Sequence, residues 1–120
     1  MRQLTRAEEE VMQLLWQKGQ ARVAEIIEDM PEPKPAYNTT STIVRILEDK
    51  GFVGHERAGR GFKYHPLVDK ETYQKASMKK MVNSYFEGSF KNMVSFFVKE
   101  KNMSAKDLES ILKELDKTQD

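Results

Sequence analysis

Cysteine is absent from the 120 residues. Disulfides, thiol catalysis and cysteine-ligated zinc or iron–sulfur sites are excluded with it. Long apolar runs are missing as well: no stretch approaches the ~18 residues of a membrane span. The start, Met1-Arg2-Gln3-Leu4-Thr5, lacks the apolar core of a secretory leader. Histidine occurs only at His55 and His65, with no His-x-x-x-His spacing, so no metal and no cofactor is expected. No glycine-rich phosphate loop, nucleophile elbow or pair of carboxylates at catalytic spacing is present. These absences point to a cytoplasmic chain without redox chemistry and without an enzyme active site.

Charge of one sign is also scarce overall, since 20 Lys/Arg against 19 Asp/Glu leave +1. Its distribution is uneven. Residues 1–32 carry four basic and seven acidic residues, a balance of −3, and residues 33–66 carry six and three, a balance of +3. Residues 67–120 carry ten and nine. All six arginines (Arg2, Arg6, Arg22, Arg45, Arg57 and Arg60) fall in the first 66 residues, and every basic residue after that is lysine. Arginine suits fixed, bidentate contacts to phosphate or carboxylate, whereas lysine commonly solvates. The chain therefore reads as two halves with different work, with boundaries at 1–68 and 69–120.

Thr5-Arg6-Ala7-Glu8 is a capping box that opens a helix carrying Val11, Leu14 and Leu15 and ending at Gly19. Val23 to Asp29 is a second, short helix. The proline-rich run Met30-Pro31-Glu32-Pro33-Lys34-Pro35 must be a loop. Asn38 to Lys50 is a third helix, closed by Gly51. Phe52–Arg57 and Phe62–Pro66 alternate in residue type around the turn Ala58-Gly59-Arg60-Gly61, which predicts a hairpin. Three helices followed by a hairpin is the order of a winged helix-turn-helix. Helices are expected again over Lys70–Glu87 and Phe90–Glu100, and Ser104-Ala105-Lys106-Asp107 is a cap pattern opening a last one. The fold class is mainly α with a small β-hairpin.

The third helix is the most informative segment. At about 100° per residue, Asn38, Ser41, Thr42, Arg45 and Asp49 share one face. Ile43, Val44 and Leu47 lie opposite, and Ile46 is on the margin. The run Asn38-Thr39-Thr40-Ser41-Thr42 is a costly way to build an exposed helix, because these residues favour caps and turns. A helix that enters the major groove has a use for them: Asn reads adenine edges, and Ser and Thr bond base edges or meet the thymine methyl. The alternative is a long cap and turn with no partner. The hairpin adds weight, because Arg57, Arg60 and Lys63 bracket its glycine-rich tip, where basic side chains meet the DNA backbone. A solvated turn is the plainer reading of the hairpin by itself.

The two histidines lie near the outer parts of the hairpin, placed to pair across it. Phe62 and Tyr64 read as hairpin packing rather than base-stacking platforms. Glu8, Glu9 and Glu10 point around the first turn of their helix, where its dipole favours acids. In the second half, Met78, Met81, Val82, Tyr85, Phe86, Phe90, Met93, Val94 and Phe97 recur at three- and four-residue steps. Leu108, Ile111, Leu112 and Leu115 do the same on the last helix. Three short helices bury such stripes poorly alone. An intertwined homodimer buries them, and two recognition helices then meet two half-sites of a palindrome. Packing back onto the first half is the alternative.

Over residues 4–116 the chain resembles the penicillinase-repressor and methicillin-resistance-repressor family, which includes copper-responsive members. Leu4-Thr5-Arg6-Ala7-Glu8-Glu9-Glu10-Val11-Met12-Gln13-Leu14-Leu15-Trp16 is similar to that family's start. Tyr37 to Val53 is similar to its recognition helix and Lys-Gly exit. Tyr64-His65-Pro66-Leu67-Val68 is similar to the end of its wing, and Gly88 to Val94 to a segment of its dimerisation domain. The resemblance implies a homodimeric transcriptional repressor on a palindromic operator of double-stranded DNA, with Asn38, Thr39 and Thr42 approaching bases. Well-known members carry Lys at the position of Asn38 and Ser-Pro at that of Ala36-Tyr37. Antibiotic-responsive members are cut at an Asn–Phe bond by a membrane-bound sensor protease, and the matching bond here is Phe96–Phe97. Copper-responsive members use a C-terminal cysteine pair, which this chain lacks. The reading is therefore a repressor in which Asn38, Thr39, Ser41 and Thr42 face bases and Arg45, Arg57, Arg60 and Lys63 hold phosphates. Alternatives are a winged-helix module that binds protein instead of DNA, a small enzyme built around the histidines, and a repressor gated by a small ligand.

Overall fold

The structure is a computed structural model that describes residues 1–101 together with 104, 106, 107, 109, 110, 113 and 114. The chain divides into two compact units, Met1–Lys70 and Glu71–Asp120.

The first unit holds α1 (Arg6–Lys18), α2 (Val23–Glu28), α3 (Tyr37–Asp49), β1 (Val53–Ala58) and β2 (Gly61–Pro66). The capping box at the start of α1 is complete. The Thr5 hydroxyl accepts from the Glu8 N–H at 3.2 Å, and the Glu8 carboxylate accepts from the Thr5 N–H at 3.1 Å. Gly19, at φ +83°, closes α1 in a conformation that side chains rarely adopt. Lys34 closes α2: its ammonium donates to the carbonyls of Glu28 at 2.8 Å and Met30 at 2.9 Å. α3 stops at Lys50-Gly51, with Gly51 at φ +82°.

The apolar stripes of the three helices meet in one core. Val11, Met12, Leu15, Ile26, Val44 and Leu47 are fully buried, together with Phe52 and Val53 at the entry to β1. β1 and β2 pair antiparallel from Val53↔Pro66 to Ala58↔Gly61, so the turn is the two residues Gly59-Arg60. Ala21, between α1 and α2, adds a short third edge. Its N–H donates to the Tyr64 carbonyl at 2.9 Å, and it accepts from the Tyr64 N–H at 2.8 Å. The Trp16 indole donates to the Val68 carbonyl at 2.8 Å, fixing the chain after β2 onto α1.

The second unit contains α4 (Lys70–Tyr85, its first residue closing the first unit) and α5 (Phe90–Lys101). They are joined by a turn with Gly88 at φ +80°. Val82, Met93 and Val94 form a small buried cluster, with Met78, Met81, Phe86, Phe90 and Val98 packed around it. The expected cap at Ser104 is present: its hydroxyl accepts from the Asp107 N–H at 3.2 Å, and the Asp107 carboxylate accepts in return at 3.3 Å. Among the described residues no helix is long and apolar enough to cross a membrane.

Candidate nucleic-acid interface

α2, the loop after it and α3 make the helix-turn-helix, and β1–β2 the wing. α3 is anchored by Val44 and Leu47, both without exposure, and its opposite side faces out. Asn38, Thr39, Thr42 and Arg45 are exposed there, and Ser41 is half-buried. The Thr42 hydroxyl donates to the Asn38 carbonyl at 2.9 Å. Its proton is spent, so Thr42 presents lone pairs and a methyl group to whatever meets this face. The Arg45 guanidinium reaches the Ser41 hydroxyl at 3.5 Å, one turn back. Ala36, the N-cap, offers no side-chain bond, so no cap competes for the first-turn N–H groups.

Thr40 departs from the polar row. It is fully buried, and its hydroxyl donates to the Ala36 carbonyl at 3.3 Å. Five consecutive short polar residues cannot share one face of a helix, and the one aimed inward satisfies itself on its own backbone.

In the wing, Arg57 and Arg60 are exposed and Lys63 is half-buried. Arg57 lies opposite Phe62 and Lys63 opposite Glu56. Because side chains alternate along a strand, Arg57 and Lys63 stand on opposite faces of the ribbon, with Arg60 in the turn between them. The three cations ring the tip rather than line one side of it.

The histidines do not pair across the hairpin. His65 faces Gly54, and His55 faces Tyr64 one step along, so the two imidazoles occupy opposite faces. His55 Nδ1 bonds the Glu48 carboxylate of α3, and its ring meets Phe62 at 5.0 Å and Tyr64 at 5.7 Å. This contact ties the wing to the end of α3. Burial, reinforced by the Glu48 carboxylate and opposed by Arg45, raises the Tyr64 hydroxyl above its ordinary pKa, so Tyr64 stays neutral. Among the described residues no group of three or more His, Asp or Glu is placed to hold a metal.

One residue outside the wing that contacts it, Arg22 at the start of α2, is not singled out by the sequence. The Arg22 guanidinium donates to the Ala58 carbonyl at 2.6 Å, across 36 residues of chain. Nothing in the local pattern around Arg22 signals that contact.

In the second unit the apolar residues split. Met93 is buried, and Met81, Phe86 and Phe90 are partly buried, within the unit's own cluster. Tyr85 is 79% exposed, Phe96 49% and Phe97 37%. The Phe96 ring meets those of Phe86 and Phe97, each at 5.7 Å. The Phe96–Phe97 bond lies inside α5. Leu108, Ile111, Leu112 and Leu115 fall outside the described residues.

A family model described as "Penicillinase repressor" matches residues 4–117. The chain belongs to the penicillinase repressor family. Similar proteins include the methicillin resistance regulatory protein MecI of Staphylococcus aureus (strain N315). It is 28% identical over 116 residues, covering 96% of this chain and 94% of MecI. The penicillinase repressor of Bacillus licheniformis is 26% identical over 110 residues, covering 91% of this chain and 86% of that protein. Among solved structures, the DNA-binding domain of the repressor BlaI matches with a TM-score of 0.52 and 30% identity, covering 59% of this chain and 88% of that one. Monomeric Bacillus licheniformis BlaI in complex with the blaP half-operator matches with a TM-score of 0.51 and 30% identity, covering 60% and 89%. The fold expected of a penicillinase repressor family member, a winged helix-turn-helix in a mostly helical chain, is the fold observed.

Proposed function

We propose that this member of the penicillinase repressor family is a transcriptional repressor that binds double-stranded operator DNA as a homodimer. One observation carries the reading most. The exposed face of α3 (Asn38, Thr39, Thr42 and Arg45) stands beside a cation-ringed wing in a fold similar to BlaI, itself solved on a half-operator. In this reading α3 enters the major groove, Asn38, Thr39, Ser41 and Thr42 face base edges, and Arg45, Arg57, Arg60 and Lys63 hold the phosphates that flank the groove. Repression is steric: the dimer occupies an operator that overlaps a promoter.

The dimer forms through the second unit, with Tyr85 and Phe97 supplying exposed apolar surface. Met81, Phe86, Phe90 and Met93 lie in the apolar cluster of the same unit, and the sequence periodicity adds Leu108, Ile111, Leu112 and Leu115 to the proposed interface. Relief follows from cutting at Phe96–Phe97 by a sensor protease, which separates the residues after the bond from the cluster around Val82. Selection of bound duplexes from a random pool tests the function. An enriched two-fold symmetric motif is expected, and no enrichment at any salt concentration would overturn DNA binding.

A further inference from the structure

We propose that Arg22 is a positioning residue for the wing, a brace that holds the Gly59-Arg60 turn in the geometry that meets DNA; this rests on the DNA-binding reading above. Its backbone is fixed on two sides. The Arg22 N–H donates to the Glu25 carboxylate at 2.8 Å, and its neighbour Ala21 is bonded twice to Tyr64 of β2. From that anchored start the side chain crosses to the wing and donates to the Ala58 carbonyl at 2.6 Å. Ala58 and Gly61 are the pair that closes the turn.

The guanidinium also lies against the tip itself. A Cβ at Gly61 would stand 3.0 Å from Arg22 Nη1, and one at Gly59 3.6 Å from Arg22 Nη2. Gly59, at φ +64°, needs glycine for its backbone as well, but Gly61 has no positive φ. A side chain at Gly61 would therefore crowd the guanidinium rather than strain the backbone. Beyond the Ala21 and His55 contacts the tip is a two-stranded ribbon, which is held weakly by its own pairing. Fixing it before DNA arrives removes an ordering cost from binding. It also sets where Arg60 stands relative to a phosphate.

The test uses the full chain. NMR order parameters of the Gly59, Arg60 and Gly61 amides are measured without DNA, and affinity for the duplex enriched in the selection above is measured by anisotropy. Arg22→Gln is expected to lower the tip order parameters from about 0.85 toward 0.6. It is expected to weaken duplex binding roughly three- to tenfold, the worth of one hydrogen bond. Arg22→Lys, which keeps a donor and the charge, recovers part of both. Gly61→Ala forces the guanidinium to give by a few tenths of an ångström, so it weakens binding less than Arg22→Gln in the wild-type background and adds nothing in Arg22→Gln, a non-additivity that general destabilisation does not produce. If Arg22→Gln fails to fold, Gly61→Ala perturbs the same contact and decides the matter.

Unchanged tip order in these variants, or a looser tip with unchanged duplex affinity, overturns the brace. A wild-type chain that binds no duplex overturns the function proposed above, while the order parameters still judge the brace.

Discussion

At the residue scale, Glu8 shows how one side chain serves local and tertiary structure together. It completes the capping box of α1 and also accepts from the Lys50 ammonium at 2.5 Å, across 42 residues. Lys50 donates in addition to the Gln3 carbonyl at 3.2 Å. Burial by itself would raise the pKa of Glu8, but the hydrogen bonds from Lys50 and Thr5 and the Lys50 charge hold it below its ordinary 4.5. The charged form therefore favours the folded chain. Its contribution is complete above the unfolded pKa and is lost as pH falls through the lower, folded value. Glu8→Gln is expected to destabilise by about 1–3 kcal/mol at neutral pH. In urea titrations the gap from wild type should close on acidification below pH 4.5, and a gap constant to pH 3 would refute the linkage. On the outer surface, Thr42 and Arg60 should separate in kind. Thr42→Ala relaxes preference at one base pair by about 1–3 kcal/mol. Arg60→Ala weakens every duplex alike and lowers the slope of log affinity against log salt by about 0.9. Competition titrations with single-base variants at several salt concentrations distinguish the two patterns.

At the scale of elements, the readable features were those whose cause is local. Thr5 and Glu8 three residues apart, Gly19 and Gly51 after apolar runs, and alternation around Gly59 each state their structure within one turn of chain. Gly51 illustrates the energetics. Its φ is +82°, and nothing lies within 4 Å of where a Cβ would sit, so Gly51→Ala adds backbone strain and no clash. A loss of about 1 kcal/mol is expected, measured as a lower denaturation midpoint with an unchanged slope. Features set by distant partners were not readable. The five-residue polar run of α3 looks uniform in sequence, yet Thr40 turns to the core because Val44 and Leu47 fix which side is inside. The two histidines look like a pair, but the register of β1 on β2 puts them on opposite faces. Arg22 looks like an ordinary surface cation until the wing folds back beside it. At the candidate site, sequence identified residue types and their order, while the register and the third edge at Ala21 decided which of them stand together.

At the scale of the whole molecule, the charge and apolar inventories bear on the same question. A net charge of +1 gives little non-specific attraction to DNA. In the proposed reading, affinity then comes from base contacts and from joining two copies of the α3 face. The second unit buries Val82, Met93 and Val94 within itself but leaves Tyr85 and Phe97 on the outside. A dimer interface built on those exposed rings, as proposed, could be removed without touching the small core. Tyr85, at 79% exposure, is the better target. Tyr85→Lys is expected to keep the circular dichroism and melting behaviour of the single chain while shifting sedimentation equilibrium from dimer to monomer. Its binding to one half-site should equal that of wild type, because unit 1 is unaltered. Its binding to the full palindrome should fall by about a hundredfold or more, because the second half-site no longer benefits from linkage. Equal losses on half-site and palindrome would mean that Tyr85 acts through the DNA-facing surface. A dimer unperturbed by Tyr85→Lys would move the interface off the outer rings of α4.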